Sequence, residues 1–344
     1  MEDKEKRTEL GEVGEFGLIN IIKDTATLRN ESTVKGIGDD AAVIDAGDKY
    51  MVVSSDMLVE QIHFDLSYFP LKHLGYKAVA VNVSDIAAMN AIPKQITVSI
   101  AVSNRFSVEA IEELYVGIAH ACEAYKVDLV GGDTTSSTAG LVISITAIGE
   151  VAKEEIVYRS TAQENDILCV TGDLGAAYLG LQMLKREKEV FMANPEMQPE
   201  LNDYEYLMQR HLKPQARMDV IHELKDLKIV PTAMIDISDG LASELLHISK
   251  SSGLGLDVFT KELPINNETL NAAMELSLDP ITCAINGGED FELLFTIKQS
   301  DHDKIKNNPE ITLIGHMTKA GEKANLVMKS GAIVPLTAQG WKHF

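Results

Sequence analysis

The chain has 344 residues, enough for two domains of ordinary size, and its 45% apolar content can fill real cores. A formal net charge of −21 repels nucleic-acid phosphates and anionic membrane surfaces, which excludes both as partners, and draws in metal ions or cationic ligands. Its three scattered cysteines offer neither a disulfide framework nor a zinc site, the charged start MEDKEKRTELGE lacks a signal peptide's apolar stretch, and no apolar run nears the roughly 20 residues that span a bilayer. A reducing cytoplasm is therefore the expected compartment.

In chain order, VIDAG and KYMVVSSD read as strand, turn, strand. PLKHLGYKAVAVNVSDIAAMNA reads as a helix, with Ala78, Val81, Asp85 and Ala88 on one buried face. QITVSIAV alternates as a strand does. SVEAIEELYVGIAHACEAYK opens with Ser107 as a candidate N-cap and carries an apolar helical stripe. The strands VDLVGG and GLVISITAIGEV follow. A polar, turn-rich stretch, KEEIVYRSTAQENDI, then breaks the pattern. Beyond it come the strand ILCVTG, the helix LGAAYLGLQMLKREKEV, the helix ARMDVIHELKDLK, the strand TAMIDI and the helix GLASELLHISKSSG. Strand FELLFTI, helix DHDKIKNN and strand TLIGHM close the second half. Helices and strands mix without strict βαβ alternation, so the fold class expected is α+β, in two domains spanning 1–155 and 156–344.

Seven aspartates dominate the chemistry: Asp39 and Asp40 in GIGDDAAVI, Asp56 in VVSSDML, Asp85 in NVSDIAAMNA, Asp133 in LVGGDTTSS, and Asp236 with Asp239 in MIDISDGL. Any one of them could be a turn or cap residue. Caps and turns do not explain Asp85, which falls on the apolar face of its helix. Two carboxylates about 5 Å apart repel by roughly 3 kcal/mol at an effective dielectric near 20. Divalent cations remove that cost, and a set of oxygen donors points to Mg²⁺ rather than zinc. Glycines beside the acids in GIGDD, GGDTTSS, TGDLG and NGGED let backbone approach a phosphate. No GxxxxGK[ST] loop, HRD/DFG pair, GxSxG elbow or HExxH occurs, so the common kinase, hydrolase and zinc-protease classes are excluded. Arg159 and Arg217 are candidate phosphate clamps.

In this order the motifs resemble the thiamine-monophosphate kinases, relatives of aminoimidazole-ribonucleotide synthetase and selenophosphate synthetase. The resemblance runs from GEFGLI through GIGDDAAV, SSDMLVEQIHF, KAVAVNVSDIAAMNA, LVGGDTTSS, YRSTAQENDILCVTGDLG, HLKP, IDISDGLASELLHI, NGGEDFELLFT and IGHMT to the terminal GWKHF. NGGEDFEL with the aromatic tail singles out this kinase family. The resemblance implies an N-terminal domain whose sheet joins its twin in a dimeric β-barrel, a C-terminal α+β domain, and ATP in the cleft. It implies that Asp40, Ser54, Ser55, Asp56, Asp85, Asp133, Asp236 and Asp239 hold several Mg²⁺ ions. Tyr115, Gly132, Asp133, Arg159 and Ser238 would contact the nucleotide, and His63, Glu289 and Trp341 would face thiamine monophosphate. Departures include Gln61, where the family usually has glycine, and HLKPQAR, which leaves the role of Arg217 open.

The implied reaction suits the residues. A phosphate monoester is largely ionised at pH 7, so no general base is needed, and none is evident. Thiamine also carries a cationic ring, near which Glu289 or Asp290 is electrostatically sensible and on which Trp341 could stack. Two alternatives remain. A ligase of the aminoimidazole-ribonucleotide synthetase type is opposed by NGGED and the aromatic tail. A non-enzymatic acidic metal-binding protein would leave the acids at glycine-rich strand ends unexplained.

Overall fold

The computed structural model describes residues 8–339. After helix α1 (Leu10–Thr25), the first half runs β1 (Thr33–Lys35), β2 (Ala42–Asp45), β3 (Lys49–Val59), α2 (Leu71–Ala88), β4 (Ile92–Val102), α3 (Val108–Tyr125), β5 (Asp128–Ser136) and β6 (Leu141–Ala152). Its six strands form one sheet in the order β1-β2-β3-β6-β4-β5. All neighbours are antiparallel except β4 and β5, which run parallel because α3 carries the chain across between them. Along β6, buried and half-buried residues alternate without a break, so one face packs on helices and the other stays open.

The second half runs β7 (Ile167–Thr171), α4 (Ala176–Ala193), α5 (Glu205–Leu212), α6 (Met218–Asp226), β8 (Ala233–Asp236), α7 (Leu241–Ser252), β9 (Leu254–Phe259), α8 (Asn267–Glu275), α9 (Pro280–Asn286), β10 (Leu293–Ile297), α10 (His302–Ile305), β11 (Ile311–Ala320), β12 (Ala324–Val327) and β13 (Ile333–Pro335). Its sheet has the order β13-β12-β9-β11-β7-β10-β8. The result is the expected α+β fold in two domains, each with its own sheet.

Helix α2 is the hub. Fourteen of its residues are buried, from Leu74 to Ala88, because it packs on the first sheet, on α3 and on elements of the second domain. A helix enclosed on every side is apolar over most of its surface, and the few polar residues in VAVNVSDIAA, Asn82, Ser84 and Asp85, each find a buried partner. The crossing with α3 is close. A Cβ at Gly75 would lie 2.1 Å from the Leu114 carbonyl oxygen, and one at Gly117 would lie 1.9 Å from that of Lys72. Ser107 caps α3 as its sequence suggests, accepting a 3.3 Å hydrogen bond from the Ala110 amide.

Candidate active site

The carboxylates of Asp40, Asp85 and Asp236 converge, each offering an oxygen within 4.8 Å of the others. They reach this point from different elements: the loop before β2, the buried face of α2, and the end of β8 in the other sheet. Ser84 and Asp85, neighbours on α2, face different partners. The Ser84 hydroxyl donates to Asp236 at 2.6 Å, and Asp85 accepts from Ser54 on β3. Asp56, also on β3, shares a hydrogen bond with Asp85, and its amide donates to Asn82 Oδ1 at 3.0 Å.

Electrostatics bear the marks of this crowding. Burial pushes Asp40 up to about 6 even though the Arg159 guanidinium lies 2.6 Å from it. Burial and the neighbouring Asp40 push Asp236 up to about 8. Asp85 rises well above the carboxylate range through burial and then through Asp56, Asp236 and Asp40. Asp56 rises through burial. Carboxyls that resist ionisation together are a donor set suited to a divalent cation, whose charge would restore all of them as anions. Asp39 sits behind the cluster, 3.1 Å from Lys35 and 3.5 Å from Arg159, where it orients the arginine.

Beside the cluster opens a cavity of about 860 Å³ between the two halves, lined by Asp56, His63, Lys77, Ser238, Asp239 and Glu289 among others. Two motifs build its far wall by zipping together. The amides of Glu289 and Phe291 donate to the carbonyls of Ser238 and Ile237, and Ile237 donates in turn to the Glu292 carbonyl. Glu244, buried on α7, gathers the Ser238 and Asp239 amides at 3.2 and 2.9 Å and so fixes the turn that carries both. His63 accepts from the Val59 amide at 3.0 Å in a tight turn where Gln61 adopts a left-handed φ of 68°.

Not every expected residue joins the site. Ser55 points to the opposite face of β3 from Ser54 and Asp56, as strand alternation requires, and bonds Thr146 at 3.0 Å. Asp133 and Gly132 lie on the outermost strand β5, and Tyr115 on the neighbouring α3, three strand spacings or roughly 14 Å from β3. Asp133 there accepts from the Thr134 amide at 2.9 Å. Arg217 is no phosphate clamp: it is buried against Glu292 at 2.7 Å, with Asp219 and Glu310 each at 2.8 Å. Asp290 does not line the cavity, and is buried as acceptor for the Gly175 amide. Trp341 lies outside the described residues. Sequence reasoning missed Ser84, Lys77, His211 and Glu244. Of these only Ser84 carried a signal, its place beside Asp85 in NVSD.

Residues 38–151 match the family model described as "AIR synthase related protein, N-terminal domain". The thiamine-monophosphate kinase of Aquifex aeolicus is 37% identical over 338 residues, covering 97% of this chain and 99% of the relative. That of Bacillus subtilis is 35% identical, covering 96% and 99%. A solved complex of AaThiL with AMPPCP and TMP aligns at TM-score 0.82 and 34% identity, covering 98% of this chain and 99% of the other. The hydrogenase maturation protein HypE in complex with ATP, at 18% identity and TM-score 0.67, shares the fold. Relatives at this identity over nearly the whole of both chains leave one assignment: the chain belongs to the thiamine-monophosphate kinase family.

Proposed function

We propose that the chain transfers the γ-phosphoryl group of ATP to thiamine monophosphate, giving thiamine diphosphate and ADP. The observation that carries this reading is the cluster of Asp40, Asp85 and Asp236, joined through Asp56 to a cavity that Asp56, Ser238, Asp239 and Glu289 line. Asp40, Asp56, Asp85, Asp236 and Asp239 are the residues that would hold Mg²⁺, with Ser54 orienting Asp85. Bound there, the ions would neutralise charge between two polyanions. Arg159, held by Asp39 and Asp40, adds a fixed positive charge at the same place.

A phosphate oxygen of thiamine monophosphate attacks the γ-phosphorus. The new P–O bond forms as the bond to the β–γ bridging oxygen breaks, and ADP leaves with that oxygen. The nucleophile is already an anion, so no side chain has to accept a proton, and the protein contributes position and field. His63 and Glu289 face the substrate in this reading, and Ser238 the nucleotide.

Two copies associate through β5 in this proposal, each subunit dividing at residues 1–155 and 156–344. All nine residues of β5 are exposed, including Leu129 and Val130, which is an unguarded edge for a strand to present to water. Gly132 adds close approach on its inner side, where a Cβ would lie 1.7 Å from the Val98 carbonyl oxygen. Tyr115, Gly132 and Asp133 contact nucleotide from this edge, and pairing of two such edges would continue each sheet into its twin toward a barrel. Among the described residues no helix is long and apolar enough to cross a membrane.

A coupled ADP-release assay tests the reaction, run with thiamine monophosphate and separately with formylglycinamidine ribonucleotide. Turnover of the first alone, with thiamine diphosphate recovered by chromatography, is expected. Turnover of the second alone would move the protein to the ligase branch, and turnover of neither by folded protein would remove the kinase reading.

A further inference from the structure

A second cavity, of about 380 Å³, shares no residue with the one beside the aspartates. It opens where the ends of β3, β4 and β6 meet α6 and the residues that follow it. Ile92 of the first sheet and Ile221, Ile229 and Val230 of the second half give it an apolar lining.

Four lysines reach this cavity from separate segments: Lys49 at the start of β3, Lys94 on β4, Lys225 on α6 and Lys228 just beyond it. Two of them are paired with acids of the same cavity. Lys49 Nζ lies 2.6 Å from Glu150, and Lys225 Nζ lies 3.5 Å from Glu155. Lys94 and Lys228 make no ion pair among the described residues. Four lysines against two glutamates leave a surplus of two positive charges, on a chain whose net charge is −21. With 52 acidic residues against 31 Lys and Arg, a lysine here has acids in plenty to pair with. Two unpaired ones at a single apolar cavity are not what folding alone selects.

Helix ends do not account for them. Asn90 and Lys228, in left-handed φ of 56° and 54°, close α2 and α6 in the same way. Their amides donate to the Ala87 and Lys225 carbonyls, and those of Ala91 and Ile229 donate to Ile86 and Leu224. Backbone thus closes both final turns without help from a lysine head. Lys94 belongs to a strand and is the extra residue of a β-bulge: Pro93 pairs with Gly149 and Gln95 with Ile148, leaving Lys94 unmatched. A bulge re-aims the side chain that it inserts, and here the side chain joins the cavity wall.

An apolar lining with two unpaired ammonium groups suits an amphiphilic anion, and the volume is at the small end of ligand sites. Compact ammonium charges with three donors each suit the several oxygens of a phosphate group. We propose that this cavity is a second ligand site, separate from the active site, for a small organic dianion. Its class is a phosphate monoester or phosphonate whose apolar body lies on Ile92, Ile221 and Ile229 while Lys94 and Lys228 take its charge. Such a ligand touches both halves of the chain, beside the end of α2, the helix that carries Asp85. The proposal does not depend on which reaction the aspartates serve.

Phenyl phosphate, mostly a dianion above about pH 7, is the probe. It is titrated by calorimetry into the full-length protein in EDTA, where no metal at the aspartates attracts an anion. One site per chain is expected, weakening as salt is added. Inorganic phosphate, which lacks the ring, should bind at least about 10-fold more weakly. Lys94→Gln combined with Lys228→Gly should weaken phenyl phosphate by about 10-fold or more. Glycine suits the left-handed φ at 228, so the melting temperature of this variant should be no lower. Arg159→Gln, at the aspartates, should leave the affinity unchanged. The proposal is overturned if phenyl phosphate does not bind at millimolar concentration, or if inorganic phosphate binds as tightly. Loss of binding in Arg159→Gln with retention in the lysine variant would also overturn it, by moving the anion to the active site. The comparison of the two phosphates uses unmodified protein, so a variant that failed to fold would not rescue the idea.

Discussion

Asp85→Asn removes one negative charge from the cluster while keeping the size of the side chain and an oxygen to accept from Ser54. Its nearest partners are Asp40 and Asp236, with donor oxygens within 4.8 Å. At that separation each charged pair repels by about 3.5 kcal/mol at an effective dielectric near 20. The ion-free fold already escapes part of this by protonation, since Asp85 itself is raised well above the carboxylate range, Asp236 to about 8 and Asp40 to about 6. The relief recovered near pH 8 is therefore capped at about 1–3 kcal/mol, which for a chain of this length raises the melting temperature by about 2–4 °C in EDTA. Turnover should move the other way and fall at least ~100-fold, because an amide oxygen is a far weaker Mg²⁺ ligand than a carboxylate. The stabilisation by saturating Mg²⁺ and ATP should shrink in step. Calorimetry and the coupled assay on one preparation measure all three. A destabilised variant with near-normal turnover would refute the reasoning and leave Asp85 as a helix carboxyl that merely bonds Ser54.

The pH dependence follows from the same carboxyls. Asp236 binds its proton more tightly folded (about 8) than unfolded (3.8), so its contribution is present below about pH 4 and lost as pH rises through 8. Protein stripped of divalent ions should melt progressively lower from pH 5 to 8.5, and Mg²⁺ should flatten that slope; a flat profile without metal would count against the cluster. Arg217→Met should cost about 3 kcal/mol, since it strips one partner from the buried Glu292, while kcat/KM of the folded protein stays within a few-fold; a large kinetic loss in a stable variant would restore a phosphate contact. Gln61→Gly should raise stability by about 1 kcal/mol by releasing the left-handed φ of 68°, read as a higher denaturation midpoint; a fall would mean that the glutamine side chain holds the turn. Val130→Lys should convert the protein to a monomer by light scattering; an unchanged dimer would place the interface elsewhere.

Much of this was legible in the residues, for a physical reason. Asp85 stands out because an ionisable group inside an apolar helix demands a partner, and α2 is buried where that pattern says it is. Ser107 was readable as a helix cap, and Asp40 and Asp236 as acids in a glycine-rich loop and at a strand end. Elements with little periodicity escaped notice: α1, α5, α8, α9, the strands β1 and β9, and the β12–β13 hairpin. Ser55 shows the limit of carrying a motif over as a block, since alternation turns every second residue of SSD away. Lys77 and His211, which both bond Glu289, were invisible because they are distant from it in sequence, and a lysine inside a helix gives no sign of where its tip ends. Arg217 read as a candidate clamp because its four-residue ionic network exists only once the chain has folded.

The aspartate cluster lies on the seam between the sheets: Asp40 and Asp85 come from the first half and Asp236 from the second, with Ser84 of α2 bonded across to it. The same point that would bind the reactive phosphates therefore also governs how willingly the two halves lie together. Without divalent ions their meeting surface carries mutual repulsion; ions bound as proposed would turn it into a clasp. On that reading magnesium availability would also set how firmly the two halves hold together, so that a cell short of the ion would hold an enzyme that is looser as well as idle.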